Sequence, residues 1–188
     1  MIGTHDSGTG EASRRWWHEL LRPFARTQDK SLSEQFDAGA RLFDLRVRKQ
    51  GGGYILAHGL WESSMTLKDA LAILSKKSQE SGAPVYVMVT YEGKLPTLER
   101  FNFAEGAKRM VKDAGLVLEG VYIKKPVWTM LLWGGQPITV VQGFASLEWF
   151  SWRCLIPIPR FWWWVTNREV HLVESDGQTT KVVLLDFM

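Results

Sequence analysis

Imidazole is the side chain whose two protonation forms are both accessible near neutral pH, and one of the four histidines in this 188-residue chain stands directly beside a carboxylate. His5 lies in Gly3-Thr4-His5-Asp6-Ser7-Gly8-Thr9, where small residues expose the ring beside a carboxylate. His58 lies in Leu56-Ala57-His58-Gly59. Between them come Asp44 and Arg46, two positions apart in an otherwise apolar run. On a strand both would share one face, with Phe43, Leu45 and Val47 on the other. A charged face opposite an apolar one fits the mouth of a barrel; the plainer alternative is a solvated edge strand carrying an ordinary ion pair. His18, which follows two tryptophans on a helical stretch, and His171 lack such neighbours and are expected to be structural or surface residues.

Elements that alternate must position these groups. Residues 2–5 read as the end of a strand, and 13–39 as helical, broken near Pro23 and restarted at Ser31 or Ser33 with capping chemistry. Residues 41–47 form a strand, Gly51-Gly52-Gly53 a turn, and 54–57 a second short extended piece. An amphipathic helix over 66–78 closes near Gly82, a strand follows at 84–91, and a helix over 104–114 ends at Gly115. Strands at 137–142 and 181–187 complete the pattern, with short apolar alternations at 121–124 and 168–173 as further candidates. Strands alternating with helices predict an α/β domain with a largely parallel sheet. His5, Asp6, Asp44, Arg46, His58, Gln142 and Asp186 fall at or just past the predicted C-terminal strand ends, where such sheets and barrels keep their active sites.

With 45% hydrophobic residues and no repeat or low-complexity linker, residues 1–188 are expected to form one domain. A net charge of +3 is compatible with anionic phosphates or a lipid surface, but so small an excess is common. A single cysteine, Cys154, excludes an internal disulfide. Arg153 and Arg160 interrupt the most apolar stretch, so no run reaches the roughly 18 residues of a membrane span. Met1-Ile2-Gly3 runs directly into the histidine motif, which leaves almost nothing for the start of a first strand and points to a truncated N-terminus. No signal peptide is visible. Ten tryptophans are clustered, chiefly Trp16 and Trp17, then Trp149, Trp152 and Trp162-Trp163-Trp164. Three in succession cannot all face inward on one regular element, so residues 144–165 are expected to form an interfacial segment, with indoles at the headgroup level and arginines meeting phosphates. A packed aromatic core is the alternative. Trp16 and Trp17 flank the same rim in this reading.

The histidine motif, the stretch Ser31-Leu32-Ser33-Glu34-Gln35-Phe36-Asp37-Ala38-Gly39-Ala40-Arg41-Leu42-Phe43-Asp44-Leu45-Arg46 and the segment Leu56-Ala57-His58-Gly59 together resemble the X region of phosphatidylinositol-specific phospholipases C, of the bacterial, metal-independent type. The similarity is clearest over residues 2–92 and returns in the final strand, Val182-Val183-Leu184-Leu185-Asp186-Phe187. It implies an irregular or abbreviated TIM-like (β/α) barrel, since a full one usually needs roughly 200 residues or more. It also implies cleavage of phosphatidylinositol to diacylglycerol and inositol 1,2-cyclic phosphate. In that resemblance His5 stands at the general base, His58 at the general acid, and Asp186 at the partner that holds the His5 tautomer. Asp6 supports the leaving-group side. Arg46 stands where calcium-dependent members carry a carboxylate, so a guanidinium would bind the phosphate in place of a cation, with Asp44 holding it; no metal or other cofactor is expected.

The resembling metal-free enzymes carry further basic residues at strand ends that here read Tyr91-Glu92 and Gln142. Tyr91, Gln142 and Lys94 become the candidate headgroup contacts, although Lys94 also reads as an exposed loop residue. The headgroup could be phosphatidylinositol, another phosphoinositide or a glycosylphosphatidylinositol anchor. The expected partner is thus a lipid at a membrane surface, without nucleic acid, and the chain a monomer; the resemblance suggests a secreted or membrane-peripheral setting. A metal-dependent glycerophosphodiesterase or sphingomyelinase-like enzyme is an alternative that Arg46 opposes. A lipid-headgroup binding module without turnover is another, opposed by the retained His5, Asp6, Arg46, His58 and Asp186.

Overall fold

Period-2 alternation and capped helices build nine strands and four helices among the residues that the computed structural model describes, which are 2–93, 95–123, 130–133, 136–142 and 180–185. The first strand, β1 (Ile2–Thr4), gives way to a 3-10 turn at Ser7–Gly10, then α1 (Trp16–Ala25) and α2 (Leu32–Asp37). A meander of β2 (Leu42–Gln50), β3 (Gly53–His58) and β4 (Trp61–Thr66) precedes α3 (Leu67–Ser81). Next come β5 (Tyr86–Tyr91), α4 (Thr97–Asp113) and β6 (Val117–Ile123), then β7 (Met130–Trp133), β8 (Gln136–Gln142) and β9 (Thr180–Leu185).

Local chemistry explains the boundaries. Ser31 caps α2 through a reciprocal box with Glu34, and Thr66 caps α3 in the same way with Asp69. Gly82 ends α3 in the left-handed conformation, at φ 67°. The α1 helix continues through Pro23 to Ala25, then residues 26–31 are non-helical before α2, so the expected helical region is two shorter helices. The turn joining β2 to β3 is a two-residue Gly51-Gly52 connection, with Gln50 opposite Gly53.

One mixed sheet results. The strands β8, β9, β1, β2, β5 and β6 pair in that order and all in parallel, while β7 pairs antiparallel with β8. β2 is the hub. Its whole first half pairs with β5, from Leu42 opposite Tyr86 to Val47 opposite Tyr91. On its other edge β1 comes first, with Thr4 opposite Phe43, and β3 follows, with Leu56 opposite Val47. β1 and β3 thus succeed each other along one edge of β2 without pairing to each other. Among the described residues the sheet is open and does not close into the expected barrel: its end strands β6 and β7 approach within 8 Å between Cα atoms but form no ladder. β6 covers residues 121–123 of the suspected strand at 121–124, whereas 124 and 168–173 lie outside the described residues.

The core lies on the helix side of this sheet. Phe43, Leu45 and Val47 of β2 and Val87 and Val89 of β5 are fully buried there against Leu67, Leu71 and Leu74 of α3 and Phe103 and Val111 of α4. Each such side chain contributes about 1.5–3 kcal/mol through burial. Alternation then sends Asp44 and Arg46 to the opposite face, where they too are buried. This removes the solvated edge-strand alternative. Because β2 continues to Gln50, these two residues lie mid-strand and not at a strand end as expected. They still meet the end of β1, because that strand stops at the level of Phe43.

Candidate active site

His5 and Asp6 follow the last residue of β1. Asp6 takes up the left-handed conformation, φ 46° and ψ 48°, which short polar side chains tolerate better than most, and the chain turns sharply there into the 3-10 segment. Two glycines of this turn, Gly8 of the motif and Gly10 just after it, are closely packed. A Cβ on Gly8 would stand 2.7 Å from Leu56 Cδ1, and one on Gly10 would collide with the Lys30 carbonyl. The turn brings the Asp6 amide to within 3.3 Å of Asp44 Oδ2.

Arg46 is the centre of the site. Its Nε contacts Asp6 Oδ1, and Asp44 Oδ2 lies 3.2 Å from Nε and 3.3 Å from Nη2. Glu92 Oε1, from just beyond β5, is 3.2 Å from Nη1. Burial acts to lower the Arg46 pKa, but Asp6, Asp44 and Glu92 together outweigh it and raise it above the ordinary value. The guanidinium is therefore permanently charged. Thr90, opposite Arg46 in the β5 register, lies 3.5 Å from Asp44 Oδ1.

Both imidazoles reach this cluster. His5 Nε2 is 2.6 Å from Arg46 Nη2, 3.5 Å from Asp6 Oδ2 and 4.0 Å from Asp44 Oδ2. A guanidinium can only donate, so Nε2 accepts and the neutral ring carries its hydrogen on Nδ1. His58 Nδ1 is 2.7 Å from the Ala25 carbonyl and 3.3 Å from Asp6 Oδ2. Both of those partners accept, so Nδ1 carries hydrogen and Nε2 is left to give or take a proton. Asp6 thus touches Arg46 and both histidines.

His5, Asp6, Asp44, Arg46 and His58 are brought together by the fold. Tyr91 is not, and the expectation that it contacts a headgroup is corrected. It is paired with Val47, so the period of two turns it to the helix side, where it packs edge to face against Tyr54 and Phe103. The neighbouring residues Thr90 and Glu92 serve the site instead. Gln142 ends β8 opposite Leu184. Asp186, Lys94 and Trp162, Trp163 and Trp164 lie outside the described residues. Asp186 is the residue after Leu185, which pairs with Thr4. His18 is structural, buried with Nδ1 3.2 Å from the Glu62 carbonyl.

Sequence reasoning missed the residues that hold the His5 turn. The His5 carbonyl accepts from Thr27 Oγ1 at 3.0 Å and from Gln28 Nε2 at 3.1 Å. Thr9 Oγ1 donates to the Asp6 carbonyl at 2.9 Å and accepts from the amides of Thr27 and Gln28. Gln35 Nε2 donates to the Ser7 carbonyl at 2.9 Å. No local pattern marks Thr27, Gln28 and Gln35, because their partners are carbonyls of the His5 turn, 22 to 28 residues away in sequence.

Among the described residues, two groups could hold a metal ion: His5, Asp6 and Asp44, and Asp6, His58 and Glu92, each with ligand atoms within 4.8 Å of one another. Arg46 already contacts Asp6, Asp44 and Glu92, so the guanidinium occupies the cationic centre of both. Chemically the arrangement offers a neutral imidazole, a second imidazole backed by a carboxylate, and a fixed cation between them. A groove of about 430 Å³ between α3 and α4, lined by lysines, Asp113 and apolar residues such as Leu71 and Met110, has no histidine.

No protein-family model matches the chain, and no curated protein matches it in sequence. In three dimensions it is similar to the phosphatidylinositol-specific phospholipase C from Listeria monocytogenes, at 13% identity and a TM-score of 0.64, over 100% of this chain and 87% of that one. It is also similar to the phosphatidylinositol-specific phospholipase C of Staphylococcus aureus, at 14% identity and a TM-score of 0.61, over 99% of this chain and 72% of that one. A point mutant of that enzyme matches at 12% identity and a TM-score of 0.62, over 100% and 84%. At such identities the likeness is one of fold.

Proposed function

We propose that this protein is a phosphodiesterase that cleaves phosphatidylinositol, or a glycosylphosphatidylinositol-type lipid, into diacylglycerol and an inositol 1,2-cyclic phosphate without a metal ion. One observation carries the reading: two imidazoles converge on a buried, permanently charged guanidinium, with His5 Nε2 at 2.6 Å from Arg46 and His58 tied to Asp6, which also contacts Arg46. The fold likeness to phosphatidylinositol-specific phospholipases C supports it.

In this reaction the bound phosphate draws Arg46 Nη2 away from His5 Nε2, whose freed lone pair takes the proton from the inositol 2-hydroxyl, and that oxygen attacks phosphorus. Arg46 faces the non-bridging phosphoryl oxygens and stabilises the charge that builds on them, a role worth about 10²–10³ in rate for one well-placed donor. His58 Nε2 gives its proton to the diacylglycerol oxygen as the phosphorus–oxygen bond breaks. Asp6 supplies the countercharge for the His58 imidazolium, and Asp186 is proposed to receive the His5 Nδ1 hydrogen. Contact with a membrane surface is proposed through Trp16, Leu20 and Leu60, which are 78%, 66% and 74% exposed along α1 and the β3–β4 turn. No helix among the described residues is long and apolar enough to cross a membrane.

A metal-dependent reading rests on the Asp6, His58 and Glu92 group. One assay separates the two. With phosphatidylinositol vesicles in excess EDTA, phosphorus NMR should record inositol 1,2-cyclic phosphate from the wild type and none from His58→Ala. Turnover restored only by calcium or magnesium would sink the metal-free reading, and lipid binding without product would favour a headgroup-binding module.

A further inference from the structure

The two histidines are carried by strands that do not pair with each other. β1, which precedes His5, and β3, which ends in His58, lie one after the other along the same edge of β2. No ladder joins the two strands directly, so their spacing is set through β2, through Asp6 Oδ2, which lies 3.5 Å from His5 Nε2 and 3.3 Å from His58 Nδ1, and through a stretch outside the sheet, residues 25–28, at the exit of α1. The Ala25 carbonyl, one of the last carbonyls of α1 and so without a partner within that helix, accepts from His58 Nδ1 at 2.7 Å. Two and three residues on, the Thr27 hydroxyl and the Gln28 side-chain amide both donate to the His5 carbonyl, at 3.0 and 3.1 Å. Thr27 is 3% exposed and Gln28 is 0% exposed. A fully buried amide and a buried hydroxyl on one carbonyl use both of its lone pairs, which orients that peptide firmly.

We infer that Thr27 and Gln28 are positioning residues, which act with the Ala25 carbonyl as a clamp that fixes the His5 turn relative to the His58 ring. The inference rests on the proposed roles of His5 and His58 as base and acid. Thr27 and Gln28 touch no reacting atom in it; they set the spacing across which one proton leaves the 2-hydroxyl and another reaches the leaving oxygen. The clamp ties the His58 ring and the His5 peptide to one short stretch at the exit of α1. Thr9 locks the clamp in turn, by accepting from the Thr27 and Gln28 amides at 3.0 and 3.1 Å.

Thr27→Val, Gln28→Ala and the double variant test this on phosphatidylinositol vesicles. The clamp predicts that kcat falls about 10- to 100-fold, as for misplacement of a catalytic group, with KM little changed. Thr27→Ser, which keeps the hydroxyl, should retain most of the rate. A double variant with the wild-type kcat, or a Thr27→Ser variant as impaired as Thr27→Val, would overturn the clamp. Proton–nitrogen correlation spectra of the imidazoles, recorded without substrate, give a readout independent of turnover. Wild type should show the His58 hydrogen on Nδ1, and Gln28→Ala or the double variant should move the ring signals of both His5 and His58. Unmoved signals overturn the clamp even if the wild type proves to cleave no phosphatidylinositol, an outcome that would instead remove the proposed function.

Discussion

Three carboxylates hold Arg46 in a buried setting, and this defines what a change at that residue must do. A guanidinium is needed for its shape as much as its charge, because Nε, Nη1 and Nη2 each have a different partner. Arg46→Lys keeps one charge but cannot meet all of them, and turnover of phosphatidylinositol should fall about 10²- to 10³-fold. Arg46→Met removes the charge and leaves Asp6, Asp44 and Glu92 facing one another, which should cost about 3–5 kcal/mol in urea denaturation. The raised Arg46 pKa sets the guanidinium's own share in the pH dependence of this loss. A basic group whose pKa is raised by folding stabilises fully below its unfolded value and loses that contribution only as pH rises through the folded value. For an arginine both lie above the working range, so the guanidinium's own titration adds no pH dependence to the Arg46→Met penalty from about pH 6 to about pH 9. A penalty absent across that whole window would contradict the ion cluster described here. At this scale the residue types and their order were legible in the sequence, but Tyr91 was misassigned. A strand residue and its neighbour face opposite ways, and only the pairing of Val47 with Tyr91 decides which of them looks into the site.

Among the elements, α2 stabilises the site indirectly. Its Gln35 donates to the Ser7 carbonyl, and its start is set by the Ser31–Glu34 capping box. The Glu34 carboxyl is held below its ordinary pKa, chiefly by the backbone hydrogen bond from Ser31. Ser31→Ala should therefore lower stability by about 1 kcal/mol in denaturant titration, the usual size for loss of such a cap. An unchanged midpoint would show that α2 is held by packing alone. The start of α2 was readable because capping is local, with both partners within three residues, and α3 because its apolar residues recur at helical spacing. β4 was not readable. Its sequence, Trp61-Glu62-Ser63-Ser64-Met65-Thr66, is mostly polar and gains its place through pairing with β3 and the Ser13–Ser63 bridge.

For the molecule as a whole, α1 joins two surfaces. Trp16 and Leu20, one turn apart, are exposed on its outer side, while Ala25 at its end meets His58. If this side meets lipid as proposed, Trp16→Ala with Leu20→Ala should weaken sedimentation with anionic phospholipid vesicles by about tenfold, at the scale of two buried side chains. Cleavage of a soluble short-chain substrate should be unaffected, and equal loss on both substrates would count against a membrane role. The sequence by itself determined the alternation of strands and helices and the two faces of β2, which rest on short-range periodicity, and it singled out His5, Asp6, Asp44, Arg46 and His58 as candidates through local motifs. The tertiary structure alone decided that the described sheet is open, that Thr90 and Glu92 and not Tyr91 face Arg46, and that residues 25–28 bind both histidine segments. Those outcomes depend on strand register and on hydrogen bonds between residues 22 to 46 positions apart, distances over which no local pattern carries information.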